Sequence, residues 1–122
     1  MTTLDLDLLA QSDKALEHFK KGELFLAKDI CYDNLVKNPH HAPTLNLLGI
    51  ILFKEGNSEK GIEHLKNAIN YSLDKSKEYS FNLAKIYQAI KQYNLAINTF
   101  ISIEEFGLAA DLYFCLLYTS PS

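Results

Sequence analysis

Small residues return at two fixed points along this chain with a period of 34 to 35 residues. Ala15, Gly49 and Ala84 form one series, and Ala27, Gly61 and Ala96 form the other at the same two intervals. Around them apolar residues recur three and four apart, the spacing of one face of an α-helix. Consecutive helical hairpins produce such a period, because one hairpin cannot bury its apolar side alone and must lean on the next. The expected fold is therefore all-α: an α-α superhelix of three antiparallel helix pairs plus the start of a seventh helix.

Turn residues place the boundaries. A first helix is expected over about 5–21, ending at Gly22, a residue suited to the left-handed conformation of a helix end. The second, over about 23–37, stops before Asn38-Pro39, since proline disfavours helical backbone in its predecessor. The third, over about 43–55, opens on Pro43, whose missing N–H would be unpaired in a first turn anyway. It closes at Gly56-Asn57, and Ser58 reads as the N-cap of a fourth helix reaching about residue 71. A fifth is expected over about 76–90 and, after Lys91-Gln92, a sixth over about 93–105. Gly107 should break the sixth, with a seventh starting in the apolar stretch 108–117. Connections this short make neighbouring helices antiparallel and put them in contact.

Composition fits a single unit without a strong electrostatic task. The chain has 122 residues, 48% of them hydrophobic, enough for a continuous core. Its net charge of -3 comes from 12 basic and 15 acidic residues spread along the chain. No basic stripe points to nucleic acid and no polybasic run to a membrane surface. Cys31 and Cys115 lie far apart with no partner at metal-ligand spacing, so neither a disulfide framework nor zinc is expected and a reducing compartment is. Residues 1–10 lack the basic start of a secretory signal, and no run approaches the roughly 20 apolar residues that span a bilayer. A cytoplasmic location follows as the expectation.

In register, the second and third units carry a family resemblance. Leu45-x-x-Leu48-Gly49-x-x-Leu52 is followed by Gly61-x-x-x-Leu65-x-x-Ala68, and Ser80-x-x-Leu83-Ala84-x-x-Tyr87 by Ala96-x-x-x-Phe100. This resembles the tetratricopeptide repeat, with a large residue, Leu-Gly and Tyr on one helix, then Ala and Phe on the next, then Pro. The implied organisation is an array over 1–115, in units of about 8–41, 42–76 and 77–110 with a partial unit from 111. The first unit departs from the pattern, with Gln11, Lys14 and His18 at the large, Leu and Tyr positions. Polar residues there suit the outer surface of an end repeat. Leu73 and Leu108 stand where the proline would fall. Residues 116–122 drop the register and look similar to translated sequencing-adaptor read-through, so a disordered or non-native tail is expected.

The resemblance implies a concave groove lined by the first helix of each pair. Helix three has a second stripe at Asn46, Ile50 and Phe53, matched by Ser12, Leu16 and Phe19 on helix one and by Phe81, Lys85 and Gln88 on helix five. Edged by Lys20, Lys54 and Lys85, these residues would form an apolar trough with a basic rim. Such a trough suits an extended peptide or an amphipathic helix carrying acidic groups. Packing of the same residues against neighbouring helices is the alternative. The lysine, asparagine and arginine set with which some members hold a terminal carboxylate keeps only Lys85 here, so a peptide of another kind is expected.

No residue pattern suggests chemistry. His40-His41 reads as a solvated turn, His18 and His64 as structural, and Glu104-Glu105 as a charged helix end. Phosphate-loop, GxSxG and CxxC motifs are missing, and no cofactor, metal or catalytic residue is expected. The leading function is a noncatalytic protein–protein interaction scaffold that binds a protein or peptide segment, with no nucleic acid or membrane partner. The alternative is the substrate-recruiting N-terminal region of a longer glycosyltransferase, sulfotransferase or methyltransferase. Self-association through an exposed C-terminal end is a third possibility.

Overall fold

The structure, a computed structural model, describes residues 2–118. Among them the chain forms seven helices and no strand: α1 Thr3–Lys20, α2 Leu24–Lys37, α3 Ala42–Lys54, α4 Ser58–Tyr71, α5 Ser76–Ala89, α6 Tyr93–Ser102 and α7 Phe106–Tyr118. Each helix packs on the next in order, and α1 also touches α3 while α3 touches α5. That connectivity is a stack of hairpins in which odd-numbered helices form one layer and even-numbered helices the other.

Local chemistry sets several ends differently from the periodicity. α1 starts two residues before the expected position because Thr2 and Asp5 form a capping box: Asp5 N–H donates to Thr2 Oγ1 at 3.1 Å, and Thr2 N–H donates to Asp5 Oδ2 at 3.1 Å. The backbone and hydroxyl donors of Thr2 hold the Asp5 carboxyl below its usual range. Asn57, not Ser58, caps α4, its side chain accepting from Lys60 N–H. α6 stops at Ser102, so Gly107 lies inside the first turn of α7 instead of breaking α6. The expected tail lies outside the described residues from 119 onward, while 116–118 continue α7.

One turn recurs. At the ends of α1, α3, α5 and α6 the chain bends through a residue of positive φ, namely Gly22, Gly56, Lys91 and Glu104. In each case the next N–H reaches back five residues: Glu23 to His18, Asn57 to Leu52, Gln92 to Tyr87 and Glu105 to Phe100, all at 2.8 or 2.9 Å. The first two positions are glycine, which adopts this conformation without a steric cost. Lys91 and Glu104 hold it against that cost.

The core runs the length of the array because α3 is buried on two sides, through Ala42, Leu45, Leu48, Gly49 and Ile51 among others. One side meets Ala15, Ala27 and Cys31, and the other meets Ala68 and Tyr79. A further cluster joins Leu65, Leu83, Ala84, Ala96 and Phe100 to Ala109 and Leu112 of α7. Burial pushes the Cys31 thiol up to about 12, consistent with an inert packing residue.

The small residues mark the closest approach within a hairpin. A Cβ on Gly49 would lie 2.7 Å from the Gly61 carbonyl oxygen, and one on Gly61 would lie 2.6 Å from that of Gly49. Two backbones in contact leave no room for a side chain at either position. The corresponding residues of the other two pairs are alanines that are fully buried: Ala15 with Ala27, and Ala84 with Ala96.

Candidate functional site

The stripe that the resemblance assigns to a groove occupies three odd-numbered helices, with α3 in contact with both α1 and α5. α1 carries Leu16, Phe19 and Lys20, α3 carries Asn46, Ile50, Phe53 and Lys54, and α5 carries Phe81, Lys85 and Gln88. Leu16, Lys20, Lys54 and Lys85 are exposed, and the other six are half-buried. Each phenylalanine has one side against the core. Phe19 packs on the cluster around Ala15 and Leu48, while Phe53 and Phe81 pack on the cluster around Leu65. Phe81 also meets Phe100 edge-on, with ring centroids 5.7 Å apart. These rings therefore support the fold and still present an edge to solvent.

One pair within the stripe is joined directly across helices. Asn82 Nδ2 donates to Asn46 Oδ1 at 2.9 Å, both side chains being half-buried. The bond leaves the Asn46 amide N–H groups and the Asn82 carbonyl available to a third party. Asn82 was missed by the sequence reading, because it lies one position past the helical equivalent of Asn46 and breaks the stripe's spacing.

Beyond α5 the surface continues as an open cleft lined by Lys85, Gln88, Ala89, Tyr93, Leu112 and Cys115. α7 thus extends the line of the trough. At the other end of α5 a second cleft is lined by Asp74, Lys75, Lys77, Glu78, Phe81, Ile103 and Glu105. The rim is basic at Lys20, Lys54 and Lys85 but of mixed sign here, where Glu78 and Glu105 face the same opening as Lys75 and Lys77. The C-terminal helix also exposes Phe106, Tyr113 and Leu117.

The histidines take structural surroundings. His40 stacks on Tyr71 with centroids 4.0 Å apart. His41 is half-buried, its Nδ1 2.7 Å from Thr44 Oγ1, and burial holds its pKa below the ordinary value against the opposing pull of Asp5. Thr44 Oγ1 also accepts from Asn34 Nδ2 at 3.1 Å, so the arrangement satisfying all three has the Thr44 hydroxyl donating to a neutral His41 ring. Asn34 further donates to the Leu8 carbonyl at 2.9 Å, tying α1, α2 and α3 together through one buried amide. His18 lies 3.1 Å from Glu23 across the first hairpin turn. Burial lowers the pKa of His64, and its Nδ1 has no hydrogen-bond partner. Among the described residues no group of three or more His, Cys, Asp or Glu is placed to hold a metal ion. No helix among them is long and apolar enough to cross a membrane.

Geometry alone defines the class, an α-α superhelix of stacked helical hairpins with small residues at the points of closest approach. The tetratricopeptide-repeat family model matches residues 42–75, which span α3, α4 and the turn into α5. That match and the seven consecutively packed helices fit a tetratricopeptide-type repeat array. No curated protein matches the chain. Repeats of this family generally bind proteins or peptides and are typically noncatalytic, which points to a role in protein–protein interaction.

Proposed function

We propose that the chain is a noncatalytic interaction scaffold that holds a peptide or helical segment of a partner protein along the face formed by α1, α3 and α5. The observation that carries this reading is the state of the stripe itself. Leu16, Ile50, Phe53 and Phe81 keep part of their apolar surface in water on α1, α3 and α5, with Lys20, Lys54 and Lys85 standing exposed beside them. Apolar surface flanked by charge gains when a segment of matching character covers it, at roughly 25 cal/mol per Å² of apolar area removed from water. The division into units of about 8–41, 42–76 and 77–110 with a partial unit from 111 belongs to the same proposal.

Peptides selected from a random library on the full chain provide the test, with affinity read by fluorescence anisotropy. Leu16→Glu and Lys85→Glu alter exposed residues and leave the core intact, so circular dichroism should be unchanged. Each is expected to weaken the selected peptides by about tenfold or more. Unchanged affinity in both variants would remove this face as the binding site.

A further inference from the structure

The outer helices carry a second apolar surface, and its most exposed residues lie on α2. Phe25 is 74% exposed, Tyr32 47% and Val36 83%, and Asp29 lies exposed between them. At about 100° per residue these four positions fall within an arc of about 60°, directly opposite the buried face of Ala27, Cys31 and Asn34. The repeat does not require apolar residues here. The same register positions on α4 are Glu59, Glu63, Lys66 and Asn70, all exposed. On α6 the first two are Asn94 and Asn98, also exposed, and the third is Ile101, a single exposed apolar residue. An apolar stripe of three residues on one outer helix, where α4 is polar at every equivalent position and α6 keeps one apolar residue, marks a surface held for contact.

Its spacing specifies the shape of what covers it. Phe25, Asp29, Tyr32 and Val36 follow one another at intervals of four, three and four residues, the d-a-d-a seam of a heptad. Three apolar knobs with this spacing fit the holes of a facing helix over about three turns, or roughly 16 Å. The fourth knob is a carboxylate at a seam position, with Asp33 flanking it. A charged residue in a seam favours a partner that places the opposite charge across from it, and disfavours all others. The neighbouring cation Lys28 is engaged by Glu55 at 2.9 Å, and Asp29 forms no ion pair among the described residues. An anionic membrane surface would be repelled by the same two aspartates. A second copy would add two more carboxylates to the seam.

We propose that α2 is a docking surface for an amphipathic helix of a partner protein whose seam carries Lys or Arg opposite Asp29. The surface lies in the layer opposite the α1, α3 and α5 face and is independent of it.

A displayed library of helices about 20 residues long, with a leucine seam and one randomised central seam position, is selected on the full chain. The expected binders carry Lys or Arg at the randomised position. Binding measured by anisotropy should be lost with Phe25→Glu and should fall about tenfold with Asp29→Lys. Glu63→Ala, at the matching position of α4, should leave it unchanged. Both Phe25 and Asp29 are exposed, and circular dichroism of the variants establishes that they fold. Recovery of no helix, binders without a basic preference, or binding indifferent to Phe25→Glu each overturns the proposal. So does a concentration-dependent dimer of the wild-type chain, seen by sedimentation and removed by Phe25→Glu, since that would make a second copy the occupant.

Discussion

The first and second hairpins use the same topology and are held together by different means. α3 and α4 meet through two glycines whose backbones touch, with Leu65 fully buried beside them, so the pair depends on shape. α1 and α2 meet through Ala15 and Ala27 and add a polar tie, Asn34 to the Leu8 carbonyl, while α2 is bonded to the second hairpin by Asn34 to Thr44 and Lys28 to Glu55. The outer surfaces differ in the reverse sense, polar on α4 and apolar on α2. The second hairpin, flanked on both sides, relies on packing, whereas the first adds directional bonds that fix its position.

The sharpest way to break this contrast is to open the centre. Leu65→Ala should destabilise the chain by about 2 to 5 kcal/mol in urea denaturation, because the surrounding α3–α4 backbones cannot close on the cavity. A loss under 1 kcal/mol would show that shape matters less there than argued. Next, Gly49→Ala should cost about 1 to 3 kcal/mol, since the new Cβ meets a backbone oxygen that cannot rotate away. Ala15, which already carries a Cβ at the equivalent point, supplies the reference.

The polar side of the comparison predicts smaller effects. Asn34→Leu removes the bonds to Leu8 and Thr44 and should cost about 1 to 2 kcal/mol, with protection of α1 amides from hydrogen exchange falling more than that of α4. Equal loss of protection throughout would mean that the amide does not act locally. The His41 and His64 pKa values lie below 6.5 in the folded chain, so as pH falls through that value protons bind the unfolded chain first. Stability is therefore full above pH 6.5 and declines as pH drops towards the folded values. Urea midpoints between about pH 7 and 5 should show this slope, and His41→Asn should reduce it. The smallest change is a gain: Lys91→Gly, at the left-handed turn that the first two hairpins give to glycine, should raise stability by up to about 1 kcal/mol.

Much of this architecture is legible in the residues. The intervals between Ala15, Gly49 and Ala84 and the turns at Gly22, Gly56 and Asn38-Pro39 locate the first five helices to within a few residues. Capping escaped that reading at Thr2 and Asn57, where one side-chain bond decides the first residue of a helix. The third interval escaped it as well. α3 begins at residue 42, α5 at residue 76 and α7 at residue 106, so the last spacing is four residues shorter than the one before. Glu104 takes a left-handed conformation that side-chain identity disfavours, and the Glu105 N–H bond to Phe100 and the packing of α7 on Phe100 and Ile103 offset it.

The candidate surfaces divide in the same way. Which residues share a helical face was fixed by sequence, because 3.6 residues per turn is a local property of the backbone. Whether such a face is covered is not local. Phe53 and Phe81 lie half within the core, Asn82 reaches Asn46 from a residue far along the chain, and the α2 stripe stands open because no described residue covers it. Periodicity determines which way a side chain points, and the stacking of helices distant in sequence determines what it meets there.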